Sequence, residues 1–149
     1  MKFKSNISLE ATPIEDTDVA NCRYVNNAIH AGNVVNDYTS SVVTSDYVSN
    51  MWSSSFMKIG NVVFAGINFT VKSTSSSVVK LGTLPEHIIP AYDQCVNTVT
   101  NGGVPCYVYI DSDGEFGIRK MSDSSWSTGE GVRINVVYLA KNTESNNAN

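Results

Sequence analysis

The chain has little charge. Only 16% of its 149 residues are Asp, Glu, Lys or Arg, against about a quarter in an average globular protein. The net charge is −4 and no cluster of Lys and Arg stands out, so a nucleic-acid partner is not expected. No apolar run approaches the length needed to cross a membrane, and the first residues lack the apolar core of a signal peptide. We therefore expect synthesis in a cytoplasm and no membrane insertion.

Residues that bind metals or act as nucleophiles are also scarce. The three cysteines, Cys22, Cys95 and Cys106, are odd in number and include no Cys-x-x-Cys pair, which argues against a disulfide framework and a zinc site. The two histidines, His30 and His87, have no obvious nucleophile partner, and no phosphate-binding glycine motif is present. These absences predict no cofactor, no metal and no enzymatic activity.

Carboxylates are the remaining catalytic candidates. A pair drawn from Asp111, Asp113, Glu115, Asp123 and Glu130 has the chemistry of a glycoside hydrolase. A simpler interpretation is that Asp111 and Asp113 shape a turn, because Asp accepts backbone hydrogen bonds there. The same run is similar to a calcium loop but lacks its full spacing and distal Glu.

What the chain does have is Ser, Thr, Asn, Val and Gly, a composition typical of strands and tight turns. From residue 51 onward apolar residues alternate with polar ones, which predicts seven or so short strands. We expect a mainly β protein whose head, residues 51–141, is a jelly-roll-like antiparallel β-sandwich. Residues 142–149 are predicted to be a flexible tail.

The first 50 residues are expected to form an N-terminal segment with one short helix, over about residues 17–31, followed over residues 33–50 by a linker or an irregular strand. Apolar side chains recur there at helical spacing, and an asparagine on the same stripe would suit register selection in a short bundle. The stripe consists of Val19, Cys22, Val25, Asn26 and Ile29. A helix of this length is marginal alone, so it packs either on copies of itself or on its own β domain.

Residues 11–29 resemble a segment that recurs in phage tail-fibre and baseplate proteins; here it reads Thr-Pro-Ile-Glu-Asp-Thr-Asp-Val-Ala-Asn and, further on, Tyr-Val-Asn-Asn-Ala-Ile. Three stretches of the β region, residues 56–64, 81–86 and 107–114, resemble the small sandwich heads of phage receptor-binding proteins, chiefly from siphophages of Gram-positive bacteria. Their motifs are Lys-Ile-Gly-Asn-Val-Val, Leu-Gly-Thr-Leu-Pro-Glu and a hairpin with an Asp-x-Asp-Gly turn. The chain departs from the family pattern at residues 87–88, where Gly-Tyr is common, and is too short for the usual long stalk.

This resemblance implies a homotrimer located in the virion tail, with heads packed around a threefold axis, in contact with other tail proteins and bound to a cell-wall or surface glycan of the host. It implies synthesis in the host cytoplasm and release on lysis. The helix stripe, from Val19, Cys22, Asn26 and Ile29, and apolar residues left over on the strands would form the trimer interface. The strand residues are Val62, Phe64, Tyr107 and Tyr109.

A saccharide site needs an aromatic ring to cover the C–H face of a sugar and polar groups to bond its hydroxyls. Trp126 is the first candidate, because it lies in a serine-rich loop near Asp123 and Arg133. The alternative is that Trp126 folds back as a lid on its own core. A second loop supplies His87, Tyr92 and Asp93, and Trp52, beside the first hairpin, is predicted to be structural.

Three functions are compatible with the sequence. The first is attachment of a phage or prophage virion to a host glycan, and the second is a purely structural trimeric baseplate or decoration subunit. The third is a bacterial carbohydrate-binding module or glycan-active enzyme.

Overall fold

The computed structural model describes residues 34–142, and these form a mainly β structure. Two short 3-10 turns, Thr39–Ser41 and Glu86–Ile88, interrupt the strands. The ten strands are Val35–Asp37 (β1), Val43–Thr44 (β2), Val48–Met51 (β3), Ser55–Ile59 (β4), Val62–Val71 (β5), Val78–Thr83 (β6), Gln94–Val99 (β7), Pro105–Ile110 (β8), Glu115–Lys120 (β9) and Gly131–Leu139 (β10).

The strands form two antiparallel sheets. In sheet A the order is β1-β4-β5-β10, and β3 also pairs with β5. In sheet B the order is β2-β6-β9-β8-β7. Both sheets have an inner face turned toward the other sheet, as in a sandwich.

The core lies between the sheets because the strand sequences alternate with a period of two. In β5 every second residue is buried, from Val63 to Val71, and β10 presents Val132, Ile134 and Tyr138 to the same side. Aromatic rings join the layers: Phe116 of sheet B lies 5.9 Å from Phe56 and 5.8 Å from Phe69 of sheet A, between ring centroids. Burial of large side chains such as these contributes about 1.5–3 kcal/mol each.

The strands predicted after residue 51 are confirmed within a few residues at their ends. The difference lies before residue 51. The stretch expected to be a linker or an irregular strand over residues 33–50 supplies the three short strands β1, β2 and β3, which pair with β4, β6 and β5 respectively. The sandwich-like body therefore begins at Val35, because short polar strands complete the sheet edges without needing a strong apolar pattern. The predicted helix with Val19, Cys22, Asn26 and Ile29, and nearly all of the predicted tail, lie outside the described residues.

The outer face of sheet A is divided into an apolar and a polar half. Two cross-strand rows, read from the strand registers, give the apolar half-face, in which Asp37 at the β1 edge is the one polar member among the described residues. Its apolar members are Val35, Met57, Ile59, Val62, Phe64, Val137 and Leu139. Phe64 is 46% exposed and Val137, directly opposite it on β10, is 56% exposed. Further along the same strands the outward residues are polar, among them Asn68 of β5 and Arg133 of β10.

The four strand residues expected to share one trimer interface do not lie on one surface. Val62 and Phe64 belong to the apolar half-face of sheet A, whereas Tyr107 and Tyr109 lie on the outer face of sheet B. Both sheets and the core between them separate the two pairs of residues, so one flat contact surface cannot include both pairs. Alternation along each strand was predicted, but alternation does not say which sheet a strand joins.

Within residues 34–142 no helix is long and apolar enough to cross a membrane.

Candidate functional site

Trp126 is buried, so it offers no ring face to a sugar. Its side chain is 1% exposed, and its indole N–H donates a hydrogen bond to the carbonyl oxygen of Ser77, 2.8 Å away. The Trp126 backbone is paired with Thr74 by two hydrogen bonds of 3.0 Å. The depression beside it, of about 570 Å³, is otherwise lined by serines and threonines. Trp126 is therefore a lid on its own core, the alternative that the sequence left open, because a distant turn supplies the partner for its N–H.

An ion pair lies beneath this lid. Lys120 is 4% exposed, and its Nζ donates to both carboxylate oxygens of Glu130, at 2.7 and 2.9 Å, and to the carbonyl oxygen of Ser125. The same Nζ lies 4.8 Å from the centroid of the Trp126 ring, which is within cation–π range. Burial alone would raise the pKa of Glu130, but hydrogen bonds from Lys120 and from the Ser127 N–H outweigh it and hold the pKa below its ordinary value.

Asp123, the other member expected beside Trp126, is turned away toward Arg119. The two side chains form an ion pair of 3.2 Å on the surface. Asp123 also has a positive φ of 50°, a conformation that Asp adopts in tight turns. It therefore shapes its loop and does not share a cavity with Arg133.

The second predicted set, His87, Tyr92 and Asp93, has no common partner: each side chain has a different environment. Tyr92 is 78% exposed, and hydrogen bonds from the Ser112 backbone N–H and hydroxyl lower the pKa of Asp93 from its ordinary value. His87 belongs to the turn Glu86–Ile88 of the same connection between β6 and β7, and its ring centroid lies 5.8 Å from that of Tyr38, which follows β1.

Arg133 is also distant from this second set. The Ala91 N–H bonds the carbonyl oxygen of Leu139, at the opposite end of β10 from Arg133. The intervening extended strand spans about 20 Å. The structure does not bring Arg133 together with the predicted loops.

Arg133 instead lies in a groove of about 370 Å³ at the polar end of sheet A, which we call the Trp52 groove. It runs across the outer face of sheet A to the end of β7. Its lining consists of Trp52, Asn68, Phe69, Thr70, Thr98, Val99, Thr100, Asn101, Gly131, Val132 and Arg133.

Three side chains form a row across the groove. The backbone N–H of Trp52 donates to the carbonyl oxygen of Asn68, 3.0 Å away, and Asn68 is the cross-strand partner of Arg133. Trp52 and Arg133 are thus two strand spacings apart, about 10 Å between backbones. Trp52 is 55% exposed, which contradicts the structural role predicted for it.

Polar groups in this row are free to bind a ligand. Among the described residues, no hydrogen bond or ion pair is formed by the side chains of Trp52, Asn68, Thr98 or Arg133. An exposed indole covers an apolar ring face, while a guanidinium and a carboxamide together offer donors and an acceptor. These groups have the chemistry that contact with a sugar requires.

The wall of the groove formed by the turn after β7 is held in place by hydrogen bonds. Asn101 donates through Nδ2 to the carbonyl oxygen of Gly129 at 2.9 Å and accepts the Gly131 N–H at 3.3 Å. Thr100 is buried, and its hydroxyl oxygen accepts two N–H groups of the same turn. Ligand binding therefore needs little ordering of this wall, which lowers its entropic cost.

Gly131 forms part of the groove floor. A Cβ there would lie 2.1 Å from the carbonyl oxygen of Phe69, well inside contact distance, so the backbone of β10 can approach β5 only with glycine at this position. Because glycine has no side chain, the backbone at Gly131 forms the surface of the groove between Thr70 and the turn that follows β7.

A second cleft, of about 340 Å³, lies on the outer face of sheet B around Tyr107 and Tyr109. Arg119, Glu115 and Tyr109 of this cleft already have partners, whereas the Asp111 carboxylate has none among the described residues. Arg119 pairs with Asp123, Lys80 pairs with Glu115 at 2.9 Å, and the Tyr109 hydroxyl donates to Glu115 at 3.1 Å. Burial, together with that carboxylate, raises the pKa of Tyr109. Because its donors are occupied, this cleft is a weaker binding candidate than the Trp52 groove.

Within residues 34–142, no three or more His, Cys, Asp and Glu side chains are grouped so as to hold a metal ion. Of the described cysteines, Cys106 is buried and Cys95 is exposed, and both are free.

The sequence grouped Arg133 with Trp126 and Asp123, whereas the structure places it in a groove with Trp52, which the sequence analysis did not include among the binding candidates. One signal was present: Met51 ends a strand and packs inward, so the next side chain is expected to point outward. That signal was unusable without knowing that residues 48–51 form a strand.

A scan against protein-family models and a search of curated proteins found no match for this chain.

Proposed function

We propose that the protein attaches a phage or prophage virion to saccharide on the host cell surface, as a homotrimeric tail-tip protein with a jelly-roll-like head. The Trp52 groove is the observation that carries this proposal, since it combines an exposed indole with unpartnered polar side chains on a rigid frame. The resemblance of the N-terminal segment and of the hairpins to phage tail proteins supports a place in the virion.

The apolar half-face supports assembly. Single exposed apolar side chains are ordinary, but contiguous patches on a soluble protein mark contact surfaces. Burial of Phe64 and Val137 in each of three copies would contribute about 1.5–3 kcal/mol per side chain. The head is proposed to trimerise through this half-face rather than through Tyr107 and Tyr109.

The purely structural alternative shares the assembly surface but not the groove. An architectural subunit has no need for an exposed tryptophan beside a free arginine. Weak binding at each of three grooves would be strengthened by multivalency on a glycan-coated cell.

Assembly is tested by analytical ultracentrifugation of the full chain. We expect a trimer for the unaltered protein and a monomer for the double variant Phe64→Glu/Val137→Glu. The matched control is Val78→Glu, which places the same charge on the outer face of sheet B at a residue 41% exposed. A monomer at high protein concentration, or a trimer unaffected by the double variant, refutes the proposed interface.

Attachment is tested by adsorption of the fluorescently labelled protein to bacterial cells and by a glycan array. Trp52→Ala is expected to reduce binding about tenfold or more, because the sugar ring loses its stacking contact with the indole. Tyr92→Ala removes an equally accessible aromatic ring outside the groove and is expected to leave binding unchanged. If the intact trimer binds no glycan, or if Trp52→Ala binds as well as the unaltered protein, attachment through this groove is wrong.

A further inference from the structure

We infer that the Trp52 groove selects saccharides bearing an acidic group, a carboxylate or a phosphate, which Arg133 binds while the sugar ring covers Trp52. This inference rests on the proposed function and names the class of ligand for its site.

The first step is the charge of the groove. Among residues 34–142, Arg133 is the one charged side chain in the groove lining, and none of their carboxylates contacts it. The other described arginine, Arg119, is paired with Asp123. The chain carries a net charge of −4, so an arginine left without a counter-ion is a local exception to the acidic surface.

The second step is the chemistry of the guanidinium. Its planar fork of N–H donors matches the two oxygens of a carboxylate or phosphate, and such charge-assisted pairs are about twice as strong as neutral hydrogen bonds. A neutral sugar would cover Arg133 without neutralising its charge. The guanidinium therefore favours an acidic over a neutral ligand, although Arg133 is exposed and solvent screens part of the attraction.

The third step is the distance. Because Trp52, Asn68 and Arg133 form a row across three strands, a ring lying on Trp52 places its substituents over Asn68. The long side chain of Arg133 then reaches an acidic group at the far edge of the same sugar or on the next unit. Asn68 and Thr98 remain to bond neutral hydroxyls.

The experiment measures binding of the full chain to matched ligands by calorimetry. A neutral oligosaccharide is compared with its uronic-acid counterpart and with the same sugar carrying a phosphate, and inorganic phosphate alone is a fourth arm. We expect the acidic sugars to bind about tenfold or more tightly than the neutral one. The relative strength of the uronate and phosphate arms identifies which acid is preferred. The phosphate-only arm is expected to bind at least tenfold more weakly, because it lacks the contact with Trp52.

Variants separate the acid preference from saccharide binding as such. Arg133→Gln is expected to abolish the preference, so that acidic and neutral sugars bind with affinities within about threefold of each other, and Arg133→Lys should retain part of the preference. Arg119→Gln is the matched control and should keep the full preference. Added salt should weaken the acidic ligands more than the neutral one.

Equal affinity of the unaltered protein for acidic and neutral sugars overturns the acid preference but leaves saccharide binding intact, provided that Trp52→Ala still lowers both affinities. An acid preference that survives in Arg133→Gln also overturns it. If no saccharide of any kind binds, both the acid preference and the proposed attachment function are wrong.

Discussion

The two tryptophans of this chain have similar local sequences and opposite environments. Trp52 precedes three serines, and Trp126 stands between serines. Yet Trp126 is buried with its indole N–H bonded to Ser77, whereas Trp52 is more than half exposed and lines a groove. The difference lies in what the fold brings to each ring from elsewhere in the chain, so local composition alone does not separate a structural tryptophan from a binding one.

Each environment has an identifiable cause. Trp126 lies where its loop crosses the turn after β5, and there it meets Thr74, Ser77 and the buried Lys120. Trp52 follows Met51 at the end of β3, and since Met51 packs on the core the next side chain is directed to the outer face. Substitutions in one of the two regions at a time test this contrast.

The largest expected effect is that of Trp126→Ala on stability. Removing a buried indole leaves a cavity and takes away one of the two hydrogen bonds that the Ser77 carbonyl oxygen accepts, so the free energy of unfolding should fall by about 3–5 kcal/mol. Urea denaturation followed by circular dichroism measures it. Trp126→Phe should recover part of the loss by filling the space. A loss below about 1 kcal/mol for Trp126→Ala would show that the ring does not cover the core.

The next effect concerns the ion pair beneath Trp126. Glu130→Gln leaves the Lys120 ammonium buried without a counter-ion, at a side chain 5% exposed. Breaking a fully buried pair costs about 3–5 kcal/mol, and because Glu130 is 20% exposed we expect about 2–3 kcal/mol. The surface pair provides the control: Asp123→Asn should change the free energy of unfolding by less than about 1 kcal/mol. Equal losses for the two variants would contradict the burial of Lys120.

The same pair should make stability depend on acid. The pKa of Glu130 is lower in the folded state than its ordinary value, so the unfolded chain takes up the proton first as the pH falls. The stabilising contribution is therefore complete above about pH 5, where Glu is ionised in both states, and is lost as the pH falls through the folded pKa. Thermal unfolding between pH 7 and pH 3 should show a smaller fall for Glu130→Gln than for the unaltered protein. Parallel profiles would mean that Glu130 does not titrate differently on folding.

Much of the fold could be predicted from alternation, because burial of every second residue is a local signal. Strands β5, β8 and β10 were located within a residue or two for this reason. The stretch before residue 51 could be predicted only as a linker or an irregular strand. Its strands β1 and β2 are exposed and have no buried face to produce an alternating pattern.

The site could be predicted only in part. Arg133 was a binding candidate, but beside Trp126; its neighbours in the groove come from the end of β3, from β5 and from the turn after β7, and their proximity depends on sheet topology. Alternation shows that Tyr107 and Phe64 both point outward, and only the pairing of the strands shows that they point to opposite sides. Polar turns give still less information, because a serine-rich loop fits both a lid and a binding surface.

The smallest expected effect on stability is that of Trp52→Ala. The ring is 55% exposed and makes no side-chain hydrogen bond within the described residues, so its removal should lower the free energy of unfolding by less than about 1 kcal/mol. Urea denaturation measures this in parallel with Trp126→Ala. A small loss of stability together with a large loss of glycan binding is what separates a binding tryptophan from a structural one. A loss of about 3 kcal/mol or more would mean that Trp52 supports the fold after all, and the contrast between the two regions would disappear.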